Sequence, residues 1–536
     1  MSRIGRTRSI TLAGLQGTVV EVEADIAQTL PGFTLLGLPD AALQESRDRI
    51  RSAARNSGLP LTRRHLTVNL LPAGVHKRGA GHDLAIVLAA YAADGRVSGV
   101  HGPVFLAELG LDGTLHGPAN TVAMVMAAVD AGHREIVVAA QAHRQAALVP
   151  GARVRSFQHL HHVIRAFGGQ PDPVASVAPL PPDDVTVVSG SDASTSEGTG
   201  TPVPHRAGDL CEVAGQFEAR YALEVAAAGG HHLLLLGRPG AGKTMLAERL
   251  PGILPPLDDR TALEVAALRS LRGEGPGPSS LDLAPPLESP HHSASMAALI
   301  GGGTGVARPG AVSLAHGGVL FLDEAPEFSR STLESLRQPL ESGVVVIHRA
   351  RSVVRYPAQF QLVMAANPCP CGFGDGQGAR CRCTVLQRRR YADRLSGPLL
   401  DRVDLQVTVP PVTGAHLAGT SAGESSAEVA ARVEQARAAQ RERWGSLAEP
   451  ARVTSSASVT NARVPAAVLR QPRFAVAPAA RATVDRAVTQ GSLSARGHAR
   501  VLRLAWTVAD LRGGDSPTAE DLDVALHLRQ DKEEAA

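Results

Sequence analysis

Leu233-Leu234-Leu235-Leu236-Gly237-Arg238-Pro239-Gly240-Ala241-Gly242-Lys243-Thr244 runs from four consecutive leucines into a loop of the form G-x-x-x-x-G-K-[ST]. An unbroken apolar run of this length reads as a strand buried on both faces. Met245 to Leu250 continues in helical pattern, so the loop has the strand–loop–helix context that the motif requires. Glycines let the backbone N–H groups converge on phosphate oxygens, and the helix N-terminus adds a favourable dipole. Gly237, Arg238, Pro239, Gly240, Ala241 and Gly242 supply the cradle, with Lys243 expected at the β- and γ-phosphates and the Thr244 hydroxyl on Mg²⁺. Of 54 basic residues only those at 77, 243 and 532 are Lys, which makes a chance match at this loop a poor explanation. The chain is expected to bind a nucleoside triphosphate.

Two further strands belong with this loop. Val319-Leu320-Phe321-Leu322 ends in Asp323-Glu324, and a buried parallel strand presents its C-terminal side chains at the edge where ligands bind. Asp323 is expected to hold the metal through water, and Glu324 to polarise the attacking water. Gln361 to Ala366 ends at Asn367, whose amide can orient that water. Paired acids at this place suggest hydrolysis more than binding alone.

The chain has 536 residues, enough for two or three domains. With 44% apolar and 20% charged residues it is not a wholly disordered chain. No apolar run approaches the ~18 residues of a membrane span, and Met1 to Arg8 is not followed by a signal-length hydrophobic segment. A cytoplasmic protein with no membrane partner is expected. A net charge of +3 decides nothing about nucleic acid. Residues 1–168 read as a mixed α/β domain, 169–205 as a Pro/Ser/Gly-rich flexible linker, 206–412 as a parallel α/β core, and 413–536 as largely helical.

The block Ser289 to Ser295, Gly301-Gly302-Gly303, Gly310 to His316 leading into Val319 to Glu324, together with Ser396 to Leu405, resembles the YifB/ComM family of magnesium-chelatase-like AAA+ ATPases. The resemblance covers nearly the whole chain. It implies an AAA+ P-loop NTPase core with a helical lid, preceded by a Lon-protease-like (ribosomal S5 domain 2-like) α/β domain, with ATP and Mg²⁺ as cofactors. In Leu399-Leu400-Asp401-Arg402-Val403-Asp404, Arg402 matches the arginine finger that enters a neighbouring subunit's site. A ring, usually a hexamer, follows from that match. Arg500 matches the second-sensor position of the lid, with Arg496 and Arg503 close beside it. Asp209 to Gln216 resembles the entry loop near the adenine. The implied substrate is DNA, bound without sequence specificity, in branch migration or helicase work. A magnesium-chelatase motor acting on a porphyrin-binding partner, or a scaffold whose ATPase controls assembly, are the competing readings.

Val344 to Arg355 carries two β-branched runs around a basic centre, a hairpin with a charged tip where related ring motors project one into the pore. Arg349 and Arg351 would there grip phosphates. Cys369, Cys371, Cys381 and Cys383 form two C-x-C pairs that suit a structural Zn²⁺ site; four reduced thiols on a surface loop are the alternative. In the N-terminal domain, Gly81 stands about where a Lon-type peptidase would carry its serine, and Val122 to Met126 offers no Lys, so no peptidase activity is expected. Lys77 is open between an anion contact and a solvated position. Asp83 is read as a helix cap, and Arg47, Arg49, Arg51 and Arg55 as a solvated helical face or a basic DNA-facing one.

Overall fold

The computed structural model describes residues 4–77, 79–174, 188–189, 208–273, 280–303, 307–349, 352–374, 381–411, 423–445, 459–491 and 493–529. Most of the expected linker lies outside these residues, as does Arg351. The chain divides into two compact units. One comprises residues 1–199 with 263–282 and 346–355; the other comprises 200–262, 283–345 and 356–536.

The first unit is built on an eight-stranded mixed sheet. The long strands Gly5–Ala13 and Gln16–Ala27 pair antiparallel, and the parallel run Val104–Leu106, Glu135–Ala139 and Arg153–Phe157 extends from one side. Alternation fixes which face is buried: in His65–Leu71, residues Leu66, Val68 and Leu70 are buried and the residues between them are not. The helix Asp83–Ala93 is apolar on almost every side and almost entirely buried against this sheet. Leu263 and Ala267 bury in one cluster with Val104, Leu106, Ile136 and Val154, and Gly14 bridges to Arg355, which is why these later stretches count with the first unit.

Three readings of this unit change. Asp83 does not cap the helix: it is its first residue, and its buried carboxylate accepts from Arg49 Nε at 3.0 Å and from the Leu109 amide at 3.3 Å. A buried charge demands a partner, and Arg49 supplies it, so the arginines of Ala41–Asn56 are not one uniformly solvated face. Arg51 lies over the Phe33 ring at 5.7 Å and Arg47 pairs with Asp48, and these two and Arg55 are exposed. Lys77 is not solvated. It is fully buried and donates through Nζ to the Pro72 carbonyl, and burial lowers its pKa.

The second unit holds a five-stranded sheet in the order Leu287–Glu288, Val319–Leu322, Gln361–Ala366, Leu233–Leu236, Leu405–Thr408, every pair parallel. Its three inner strands are apolar without alternation because helices cover both faces. Leu233, Leu235, Phe321, Val363 and Val407 share one core with the helix Phe217–Gly229 and with Val433, Trp444 and Trp506 from the C-terminal helices Ser426–Gly445 and Ala495–Arg512. Val344–Arg349 and Ser352–Pro357 form the expected two-stranded ribbon.

Candidate nucleotide site

Strand register assembles the site. Leu236 pairs with Ala366 and Leu322 with Met364, so the chain leaves three neighbouring strands at one sheet edge. Gly237, Asp323 and Asn367 are the first residues beyond those strands. In a parallel sheet this carboxyl edge is where loops and helix N-termini converge on a ligand.

Lys243 opens the helix Lys243–Arg249 and is buried. Its Nζ donates to the Gly237 carbonyl at 2.7 Å, the Arg238 carbonyl at 3.0 Å and Asn367 Oδ1 at 3.0 Å. Burial lowers its pKa, while Asp323 and Glu324 favour the charged form. Gly240 and Gly242 have φ of +77° and +92°, the left-handed conformation that glycine adopts without penalty and that turns the loop's amides inward. The Thr244 hydroxyl donates to Asp323 Oδ2 at 2.8 Å, joining the two residues expected on the metal. Hydroxyl and carboxylate oxygens are hard donors of the kind Mg²⁺ takes, so the pair fits that ion.

Glu324 is exposed and holds φ of +49°, a strained conformation for a residue with a Cβ. Its amide donates to Asp323 Oδ1 at 2.9 Å, and its Oε2 lies 3.4 Å from His292 Nδ1. The backbone thus aims the carboxylate out of the strand into the open edge.

Arg402 and Arg500 sit together, apart from these contacts. Arg402 is nearly buried and donates to Glu341 and to the Pro398 carbonyl. Arg500 donates to Asp404 and, at 2.9 Å, to the Arg402 carbonyl. Asp404 is buried, also accepts from the His232 amide at 3.1 Å, and is held far below the ordinary carboxylate range by His231 and Arg500 against the cost of burial. Arg496 lies 3.9 Å from Asp401, and Arg503 donates to the Val464 carbonyl at 2.9 Å. Of the hairpin arginines, Arg349 is described and partly buried.

The sequence named Gln216 only within the Asp209 to Gln216 stretch, and gave no role here to His292 or Gly372. Gln216 has φ of +55° and donates through Nε2 to the Ala241 carbonyl at 3.1 Å and the Pro410 carbonyl at 2.5 Å, so the entry segment is tied directly to the phosphate loop. His292 stands beside Glu324, and Gly372 packs on Pro239. Only the His-His pair in the quoted family block was a visible signal for the second; the other two depend on contacts between distant segments.

The four cysteines converge. Their sulfurs all lie within 4.8 Å of one another, with Cys369 buried and the others partly exposed. Burial pushes the Cys369 thiol up to about 12, whereas the Phe373 amide draws Cys371 down to about 6.

Three family models match the chain: "Magnesium chelatase, subunit ChlI" over residues 209–417, "Subunit ChlI of Mg-chelatase" over 22–142, and "Magnesium chelatase, subunit ChlI C-terminal" over 423–529. An uncharacterized protein of Mycobacterium tuberculosis is 43% identical over 529 residues, covering 98% of this chain and 99% of its own. Competence protein ComM of Haemophilus influenzae is 38% identical over 519 residues, 96% of this chain and 95% of its own. The YifB protein of Escherichia coli is 38% identical over 520 residues, with the same coverage. Among the described residues no helix is long and apolar enough to cross a membrane.

Proposed function

The chain belongs to the YifB/ComM family of magnesium-chelatase-like AAA+ proteins, and from that premise we propose that it is an ATP-hydrolysing, ring-forming motor that remodels DNA. The observation that carries the ATPase reading is the meeting of Lys243, Thr244, Asp323 and Asn367 at one sheet edge, with Glu324 turned out beside them. Lys243 exchanges its carbonyl acceptors for β- and γ-phosphate oxygens while keeping Asn367 in reach. Thr244, and Asp323 through water, would hold Mg²⁺, which would supply neutralisation of charge developing on the phosphates. Glu324 takes the proton of the attacking water, and Asn367 orients that water.

Arg402 acts on the site of a neighbouring copy, as the family match implies, and the assembly is a ring, usually of six. Reaching that site requires it to exchange Glu341 for the γ-phosphate. Arg500 serves in the helical lid formed by the C-terminal helices, and a role on the phosphate requires it to leave Asp404. The N-terminal mixed sheet is the Lon-like domain, serving assembly or interaction without peptide hydrolysis, in a cytoplasmic protein. The name of the Haemophilus relative, a competence protein, supports DNA as the substrate. Arg349, at the end of the first ribbon strand, and Arg351, which lies outside the described residues, are the proposed phosphate contacts.

The test is DNA-stimulated ATPase together with strand displacement and branch migration under Mg²⁺–ATP, with Lys243→Ala as control. Stimulated turnover and strand movement that the control lacks support the reading. Equal activity in the control ends it. Because the matched family models describe a magnesium-chelatase subunit, chelation with a porphyrin-binding partner and no response to DNA would favour metal insertion instead.

A further inference from the structure

We propose that Cys369, Cys371, Cys381 and Cys383 hold one structural Zn²⁺ that buttresses the phosphate loop and the Asn367 turn. Zinc–thiolate bonds of about 2.3 Å in a tetrahedron put neighbouring sulfurs about 3.8 Å apart. Three of the sulfur pairs here are 3.2, 3.8 and 3.6 Å apart, namely Cys369–Cys371, Cys369–Cys381 and Cys371–Cys381. A disulfide would need about 2.05 Å, and none of these pairs approaches it. A tight turn at Cys369–Gly372 and a separate stretch at Cys381–Cys383 bring four soft ligands to one point, the closed donor set of a structural rather than a catalytic site. Thiol–thiol hydrogen bonds are weak, so they give little reason for the two stretches to converge without an ion.

What the site touches gives it a role. The Gly372 amide donates to the Cys369 carbonyl at 2.9 Å, closing a tight turn with Gly372 at φ of +81°. A Cβ on Gly372 would fall 2.5 Å from the Pro239 ring, so this turn rests directly on the phosphate loop. Cys369 follows Asn367 by two residues, and the helix Val385–Ala392 that follows Cys383 brings Tyr391 back close to the Asn367 backbone. The segment bearing the ligands therefore starts just after the residue that holds Lys243, and the helix that follows it returns beside that residue. Fixing its middle with a metal would limit how far Asn367 and the phosphate loop can move, in the way outer-shell groups orient those that act.

Binding of the metal stands apart from the ATPase reading; the effect on turnover rests on it. Full-length protein expressed with added Zn²⁺ is assayed for metal and free thiols, and the zinc is then replaced by Co²⁺. About one zinc per chain, with the thiolate charge-transfer and tetrahedral ligand-field bands of a four-sulfur Co²⁺ site, is expected. Cys381→Ser/Cys383→Ser protein should lose the metal and the bands, and its kcat for ATP should fall on the order of tenfold with KM little changed. Removing zinc from the parent by chelation, and restoring it, should reproduce and reverse that fall even if the double variant folds poorly. Metal-free protein with all five cysteines as free thiols, or a disulfide in freshly purified protein, overturns the site. Full turnover after verified zinc removal overturns the buttress. A parent that binds one zinc but hydrolyses no ATP supports the site and defeats the ATPase reading.

Discussion

Lys243 Nζ and Asn367 Oδ1 lie 3.0 Å apart, one from the loop after Leu233–Leu236 and the other from the end of the neighbouring strand. The contact ties the phosphate-binding cation to the amide that is to orient water. Asn367→Ala should therefore leave ATP binding largely intact and lower kcat by about 10²-fold, the scale of losing one positioned polar group. Equilibrium binding of a fluorescent ATP analogue beside steady-state turnover checks the split; loss of binding in step with turnover would contradict it.

Glu324 is held by backbone strain and lightly tethered to His292. Glu324→Gln keeps the shape and removes the base, so hydrolysis should fall by about 10²–10⁴-fold while ATP stays bound. His292→Ala should do less, because at 3.4 Å the imidazole positions the carboxylate without replacing its chemistry. Single-turnover hydrolysis of bound ATP distinguishes the two. If His292→Ala were the more damaging change, the base would have to be sought elsewhere.

Much of this site was legible because its motifs are local. Residues 233–244 and 319–324 each carry strand, turn and chemistry within a dozen positions, and the strands run where the apolar patterns put them. Burial of Lys77, the pairing of Arg49 with Asp83, and the contact of Gly372 with Pro239 were not legible. Each joins segments through tertiary packing that no periodicity records. Asp83 misled for a related reason: an acid at a helix start satisfies the capping pattern whether its carboxylate faces the helix amides or a buried arginine.

Arg402 gives the proposal of a shared site a direct test. Lys243→Ala removes the cradle of a copy and Arg402→Ala removes what it lends to the next. Each variant alone should be nearly inactive, yet mixing them should restore part of the ATPase, since some junctions then combine an intact Lys243 with an intact Arg402. Activity is measured against mixing ratio under conditions that let copies exchange. An Arg402→Ala protein with full activity alone would place the arginine outside catalysis, leaving it its bonds to Glu341 and the Pro398 carbonyl.

Acid should weaken the fold through two buried histidines that stay neutral in it. His82 is fully buried, its Nδ1 lies 2.9 Å from Ser9 Oγ, and burial lowers its pKa from 6.5 to about 4. His232 is lowered to about 4 as well, chiefly by burial, and accepts the Leu362 amide through Nδ1 at 3.0 Å. Both are neutral in the fold, so below 6.5 the unfolded chain takes up protons that the folded chain refuses. Stability is therefore full above that value and falls as pH drops from 6.5 toward 4. Asp404 has a depressed folded pKa, so its contribution survives this window and is lost only as pH falls below its unfolded value of 3.8. Urea midpoints at about pH 7.5 and about pH 5 should differ clearly in the parent and less in His82→Gln, which has one fewer refused proton. An undiminished difference in that variant would mean that His82 takes its proton in the folded state.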